Sequence, residues 1–275
     1  MKLEPTFQGG ASVLASRGGA WQKAARGDAR PTRFVLLSLA SVILFLASGA
    51  TAETTNTLSA AEIQGRQLAR QLCEARPADN FTNTGTLKIR DAKKRWQEIP
   101  VRFQATVVPT DPPSWEASYE TTGTNHLLLT ISHSANQPNR YRLLTNGEPA
   151  DLRGGTDVPF AGSDFWIGDF GLEFLSWPDQ KILKKEFHDN CASIVLESRN
   201  PSPSANGYAR VVSRIDEESG GVMEASTFDV AGRQLKDFRV KNLKKVNGRW
   251  QVELVIMDNV QTRTRTQLEF DLKKP

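Results

Sequence analysis

Few residues of this chain stand where chemistry could use them. Its three histidines are His126, His133 and His188, and none lies at metal-ligand spacing from another. His126 and His133 could meet across a hairpin, yet strand histidines are commonly ordinary surface or packing residues. The two cysteines, Cys73 and Cys191, are too few and too far apart to argue for zinc. In an oxidising compartment they could close a long loop as a disulfide, with two separate thiols as the alternative. Asp164 and Asp169 flank Trp166, and paired carboxylates can serve acid and base catalysis, but their positions read better as turns that cap a short helix. The sequence holds no phosphate-cradling glycine loop, dinucleotide fingerprint, nucleophile elbow or zinc-protease helix motif. The residue types therefore point away from an enzyme, and neither a cofactor nor a metal is expected.

The elements that would position these residues are mostly strands. Ser59-Ala60-Ala61-Glu62 is a capping box, and a helix is expected to run from it to about Arg76, where Pro77 stops it. Ala61, Leu68, Leu72 and Ala75 give that helix a thin apolar stripe, so it must lie on something larger. From Thr84 onward the apolar period is two. Val101, Phe103, Ala105 and Val107 alternate with polar residues, as do Leu127, Leu129 and Ile131, and Trp250, Val252, Leu254 and Ile256. Turn signals punctuate these runs, the clearest being Asn247-Gly248 between two strand-like segments. About ten strands with short connections imply an antiparallel sheet, and a sheet that large must curl or split. The Thr262–Thr266 run alternates with Arg263 and Arg265 and reads as the solvated face of a last strand.

One block breaks the strand period. Residues 162–178 carry Phe165, Trp166, Phe170, Phe174 and Trp177, and form either a helical or looped cover over the sheet or a plug in its core. Aromatic clusters belong more often to cores than to ligand sites, which favours the plug.

The compartment is written before the strands. Arg30 and Arg33 precede the apolar run Phe34–Leu46, and Ala50-Thr51-Ala52 supplies the small residues of a cleavage site. A secretory signal cut before Glu53 is expected; an inner-membrane anchor is the competing reading, since Phe34 to Ala50 is 17 residues. Residues 1–52 are then leader and 53–275 one β domain of 223 residues. The chain has 35 basic and 31 acidic residues, but the leader holds six of the bases and two of the acids, leaving 29 of each in the exported part. A nucleic-acid partner is thereby argued against.

Within 191–270, Tyr208 leads into Arg214-Ile215-Asp216, a strand ends at Phe228-Asp229 before Gly232, a strand pair spans Asn247-Gly248, and Met257-Asp258 precedes a Thr-rich final strand. This order, with the Gly162-Ser163-Asp164 opening of the aromatic block, resembles the LolA-like outer-membrane lipoprotein-sorting family, in its broad uncharacterised periplasmic branch. Over about residues 84–272 the resemblance implies a half-closed, curved antiparallel sheet or barrel with a helical lid over an apolar cavity. It implies a periplasmic carrier of lipidated protein or another acyl-chain ligand, working with inner- or outer-membrane partner proteins. A regulatory or interaction module of the envelope-stress sensor type shares the fold and is the alternative. Trp115, Phe165, Trp166, Phe170, Phe174, Trp177 and Trp250 are the candidates for cavity or lid, each with plain core packing as its other reading. A carrier requires an apolar cavity of several hundred Å³, whereas an interaction module predicts a filled interior.

Overall fold

The computed structural model describes residues 58–272 apart from 124, 136, 190, 247 and 248, and apart from the side chain of Arg249. The expected signal segment and leader lie outside the described residues, as does the Asn247-Gly248 turn. Among the described residues no helix is long and apolar enough to cross a membrane.

Thirteen strands form one antiparallel sheet. The first six are β1 (Phe81–Arg90), β2 (Trp96–Val108), β3 (Ser114–Thr121), β4 (Leu127–Ser134), β5 (Arg140–Thr145) and β6 (Glu148–Pro149). The other seven are β7 (Asp179–His188), β8 (Cys191–Arg199), β9 (Arg210–Asp216), β10 (Val222–Phe228), β11 (Gln234–Val246), β12 (Arg249–Asn259) and β13 (Thr264–Phe270). Each set is a meander in which consecutive strands pair, and the two meanders meet where β1 pairs with β13, Gly85 opposite Phe270 and Arg90 opposite Arg265. Short turns between successive alternating runs produce this pattern. The sheet does not close into a barrel: β6 and β7 are its two edges, and residues 150–178 carry the chain from one to the other.

The inward positions of the strands build the core. Leu87, Val101, Phe103, Ala105, Tyr119, Leu129, Ile131, Val255, Met257, Leu268 and Phe270 are all buried. The alternation of β13 corrects one expectation. Thr264 and Thr266 share a strand face with Leu268 and Phe270, so the threonines point inward with them; Thr266 is fully buried, while Arg265 pairs with Asp258 on the other face.

The helix α1 (Ala60–Glu74) starts as expected. The Glu62 amide donates to the Ser59 hydroxyl at 3.3 Å and the Ser59 amide to the Glu62 carboxylate at 2.7 Å. It ends two residues before Arg76, with Ala75 already extended. Its buried face is Gly65, Ala69 and Leu72, flanked by Leu68 and Ala75, and it packs on β7. Gly65 is what allows the approach: a β-carbon there would sit 2.8 Å from the carbonyl of Gln180 and from Cα of Lys181. The apolar stripe read from the sequence omitted this residue because glycine adds nothing to an apolar pattern.

Helix propensity alone would make Gly65→Ala stabilising by about 1 kcal/mol. Backbone crowding against β7 reverses the sign, so we expect a loss of ~1–3 kcal/mol in chemical denaturation. A stabilised Gly65→Ala protein would show that α1 does not depend on this contact.

Candidate functional site

The segment between β6 and β7 fills the concave side of the sheet. It contains only a 3-10 turn at Phe160–Gly162, the single-turn helix α2 (Ile167–Phe170) and a second 3-10 turn at Glu173–Ser176. Ala161 and Leu172 adopt left-handed backbone, with φ of 53° and 45°. Regular structure does not hold this segment in place; side-chain burial does. Phe160, Phe165, Ile167, Phe170, Leu172, Phe174 and Leu175 are buried in the core. The Phe170 ring lies 4.5 Å from that of Tyr119, 5.2 Å from Phe160 and 5.5 Å from Phe165, and Tyr119 in turn lies 4.8 Å from Phe103 on the sheet. The aromatic block is therefore a plug. Behind it Asp169 and Thr227 join Leu172, Phe174, Ala225, Phe238 and Met257 around a cavity of about 10 Å³, no more than room for one water.

A polar latch fastens the plug to β11 and β13. The Asp164 amide donates to the Thr266 hydroxyl at 2.9 Å, and the hydroxyls of Thr264 and Thr266 donate to the two Asp164 carboxylate oxygens at 2.5 and 2.8 Å. Lys236, 2% exposed, donates to the Asp164 carbonyl at 2.7 Å. The same ammonium sits 3.5 Å from the Trp166 ring centre and 3.8 Å from the Asp169 carboxylate. Trp166 stacks on Tyr208, with centres 4.4 Å apart. Asp169 caps α2, accepting from the Trp166 amide at 2.7 Å, and also accepts from the Tyr208 hydroxyl at 3.3 Å. A second fastening is Gln180, whose amide nitrogen donates to the carbonyls of Phe174 and Trp177, both at 2.9 Å, while Ser198 donates to its oxygen at 2.7 Å. Burial pushes the Lys236 ammonium down to about 8, against the attraction of Asp169 and Asp164. Burial also raises Asp169 above the usual carboxylate range, opposed first by Lys236.

On the outer side of the plug lies a cleft of about 310 Å³, between residues 154–177 and the β8–β9 loop. Asp157, Asp169 and Glu173 line it together with Trp166, Trp177, Tyr208, Ser202 and Ser204. Asp157 accepts from the Ser204 hydroxyl at 2.8 Å, and Glu173 from Thr156. Burial raises the Glu173 carboxyl, reinforced by the Asp157 and Asp169 charges.

The structure divides the seven aromatic candidates into groups. Phe165, Phe170 and Phe174 are buried in the plug, while Trp166 and Trp177 are half-buried on its cleft side. Trp115 is buried on β3, stacked on His133 at 3.9 Å. Trp250 lies at the hairpin end of β12 and is 38% exposed, with Lys245 5.9 Å from its ring. Trp250 shares strand parity with buried Val252 but stands at the hairpin end past the core, while a bulge between Val252 and Leu254 brings Val255 and Met257 onto the inward face with Val252. Cys73 on α1 and Cys191 at the β7–β8 turn are free thiols rather than a disulfide. His126 binds Glu120 at 2.7 Å, and His133 is pushed down to about 4 by burial. Lys236, Thr264, Thr266, Gln180 and Tyr208 were not singled out as site residues from sequence. Lys236 carried a usable signal, because it shares strand parity with Phe238 and so occupies an inward position.

A large open antiparallel sheet whose apolar face is covered by a plug defines the fold class, one shared with LolA-like structures. A family model described as an uncharacterized protein matches residues 152–273, which is the plug and the second meander. No curated protein matches the sequence. Among solved structures, a DUF1329 family protein from Desulfovibrio piger aligns with a TM-score of 0.64 at 13% identity, covering 78% of this chain and 92% of that one. A putative outer membrane lipoprotein-sorting protein domain from Vibrio parahaemolyticus aligns at 0.62 and 18% identity, over 77% and 92%. A LolA superfamily protein from Nitrosomonas europaea aligns at 0.50 and 16%, over 79% and 94%. At these identities the likeness establishes the fold.

Replacing Lys236 by Met leaves Asp169 buried without its cation and the Asp164 carbonyl without its donor. We expect a loss of ~3–5 kcal/mol and faster amide exchange across 160–177. The pH dependence has a definite sign. With Lys236 lowered to about 8 in the folded state, the unfolded chain binds the extra proton between there and the ordinary lysine value. Wild-type stability relative to Lys236→Met therefore rises with pH through that window. A difference independent of pH in urea titrations would show that Lys236 titrates normally.

Proposed function

We propose that this protein is an exported, non-catalytic binding module of the LolA type, a periplasmic carrier for a lipidated protein or another acyl-chain ligand, held here with its apolar site closed by its own plug. One observation carries the reading. The apolar floor formed by Phe103, Tyr119, Phe238, Met257 and Phe270 is covered by an irregular segment fastened through a few polar contacts, not by a regular layer. A cover of that kind can exchange with a ligand that offers the same apolar surface. An acyl chain of fifteen methylenes gains roughly 12 kcal/mol on full burial, a magnitude that can compete with the plug. Export of a single β domain over 53–275, past a signal at Phe34–Leu46, is part of this proposal. So are the roles of Phe165, Phe170 and Phe174 as closing residues and of Trp166 and Trp177 as the lid's outer side. The lipoprotein-sorting neighbour supports it through fold alone.

The small size of the cavity between the plug and Ala225, Phe238 and Met257, about 10 Å³, favours a second reading, an interaction module whose interior stays filled. Titration with a fluorescent fatty acid and a triacylated lipopeptide separates the two. A carrier binds both, and Thr266→Val, which removes the two latch hydrogen bonds of that hydroxyl, binds at least tenfold more tightly because the open state is more populated. Failure of wild type and Thr266→Val alike to take up either probe, with both proteins folded, would leave the interaction module as the function.

A further inference from the structure

Three hairpin turns that lie side by side share one end of the sheet. Arg90 of β1 pairs with both Trp96 and Arg265, Asn259 of β12 pairs with Thr264 and with Lys236, and Phe228 of β10 pairs with Gln234. The β1–β2, β12–β13 and β10–β11 turns are thus successive along the sheet, about 10 Å apart. Each presents an exposed apolar side chain: Trp96 at 49%, Val260 at 43% and Val230 at 63% exposed.

Each turn also carries bases. Across the three there are Lys93, Lys94, Arg95, Arg233 and Arg263 against Asp91 and Asp229. Both acids are consumed within their own turns, Asp91 by Arg95 and Asp229 by Arg233. Lys93, Lys94 and Arg263 are exposed and form no ion pair among the described residues. The opposite end of the sheet makes the contrast. It too exposes apolar residues, Phe187 and Trp250, but Lys184, Lys185 and Lys244 there are paired with Glu186, Glu217 and Glu253, and Lys245 faces the Trp250 ring. At the first end Lys93, Lys94 and Arg263 stand beside protruding apolar side chains on adjacent turns. The β8–β9 loop that walls the cleft is at that same end, since Arg199 pairs with Arg210 and Arg210 with Phe228.

We propose that these three turns form a docking surface for an anionic lipid bilayer, the bases meeting headgroups while Trp96, Val230 and Val260 enter the interface. Charge complementarity selects the occupant. An anionic bilayer attracts unpaired lysine and arginine near its surface, and exposed tryptophan partitions to the headgroup level. The surface does not require the acyl-chain reading, but it would place the plug's cleft end toward the membrane.

The test is cosedimentation of the purified protein with phosphatidylcholine vesicles and with vesicles in which half the lipid is phosphatidylglycerol. Binding is expected to the anionic vesicles and to weaken with added salt. Lys93→Gln combined with Lys94→Asn should weaken it by about 25-fold, fivefold for each charge, without changing the melting temperature. Trp96→Ser should weaken it further. Lys185→Gln and Phe187→Ser, at the opposite end, should leave it unchanged. Equal binding to both vesicle types, no binding to either, or a loss confined to the opposite-end variants would overturn the proposal; the last would assign docking to the other rim, and no binding would leave the bases to a protein partner. Fatty-acid uptake in solution, measured on the same variants, reports separately on the carrier reading.

Discussion

A thirteen-stranded sheet with one apolar face cannot remain bare in water, and everything else in this fold answers that demand. Ordinary β sandwiches cover such a face with a second sheet, and α+β folds cover it with helices. Here the cover is a segment of less than thirty residues whose only α-helix is a single turn. It succeeds because it concentrates aromatic volume: Phe160, Phe165, Phe170 and Phe174 each fill space that several smaller side chains would otherwise occupy. Irregular backbone at that depth has to satisfy its own polar groups, which explains why Asp164, Lys236, Thr264, Thr266 and Gln180 gather where the plug meets the strands.

A buried lysine is an unusual choice for that task. A neutral donor would satisfy the Asp164 carbonyl with less desolvation, and burial of charge seldom adds net stability. What the ammonium adds is reach in three directions, to a carbonyl, a carboxylate and the Trp166 ring. One side chain thereby fixes the register of the plug on either side of Phe165. The geometry suits specificity of closure more than strength of closure.

The strands were legible in the sequence because an open sheet with one dry face writes its geometry as period two, and Val101 to Val107 obeyed it closely. The capping box of α1 was legible for a similar reason, since Ser59 and Glu62 serve only local backbone. The plug could be located through Phe165 to Trp177 but its fastening could not, because Asp164 meets Thr266 and Lys236 across 102 and 72 residues of chain. The parity of Thr264 and Thr266 with Leu268 held the clue, and the intervening arginines obscured it. Trp250 was misplaced for a physical reason as well, since it has the parity of buried Val252, and alternation alone does not tell where along a strand the core ends.

The two meanders are continuous with each other only at the β1–β13 ladder, and the chain crosses from the last strand of one to the first strand of the other through residues 150–178. Those residues span the open side of the sheet from edge to edge, as a bowstring spans a bow. Cover and edges are for this reason joined in one segment: the residues that bury the open face are the same ones that link β6 to β7. At the seam Gly85 leaves the backbone of Glu269 so close that a β-carbon would fall 2.2 Å from its carbonyl oxygen. Flexing of the two limbs is thereby referred to one tightly joined backbone ladder, the grip of the bow, with α1 clasping the limb that begins at β7.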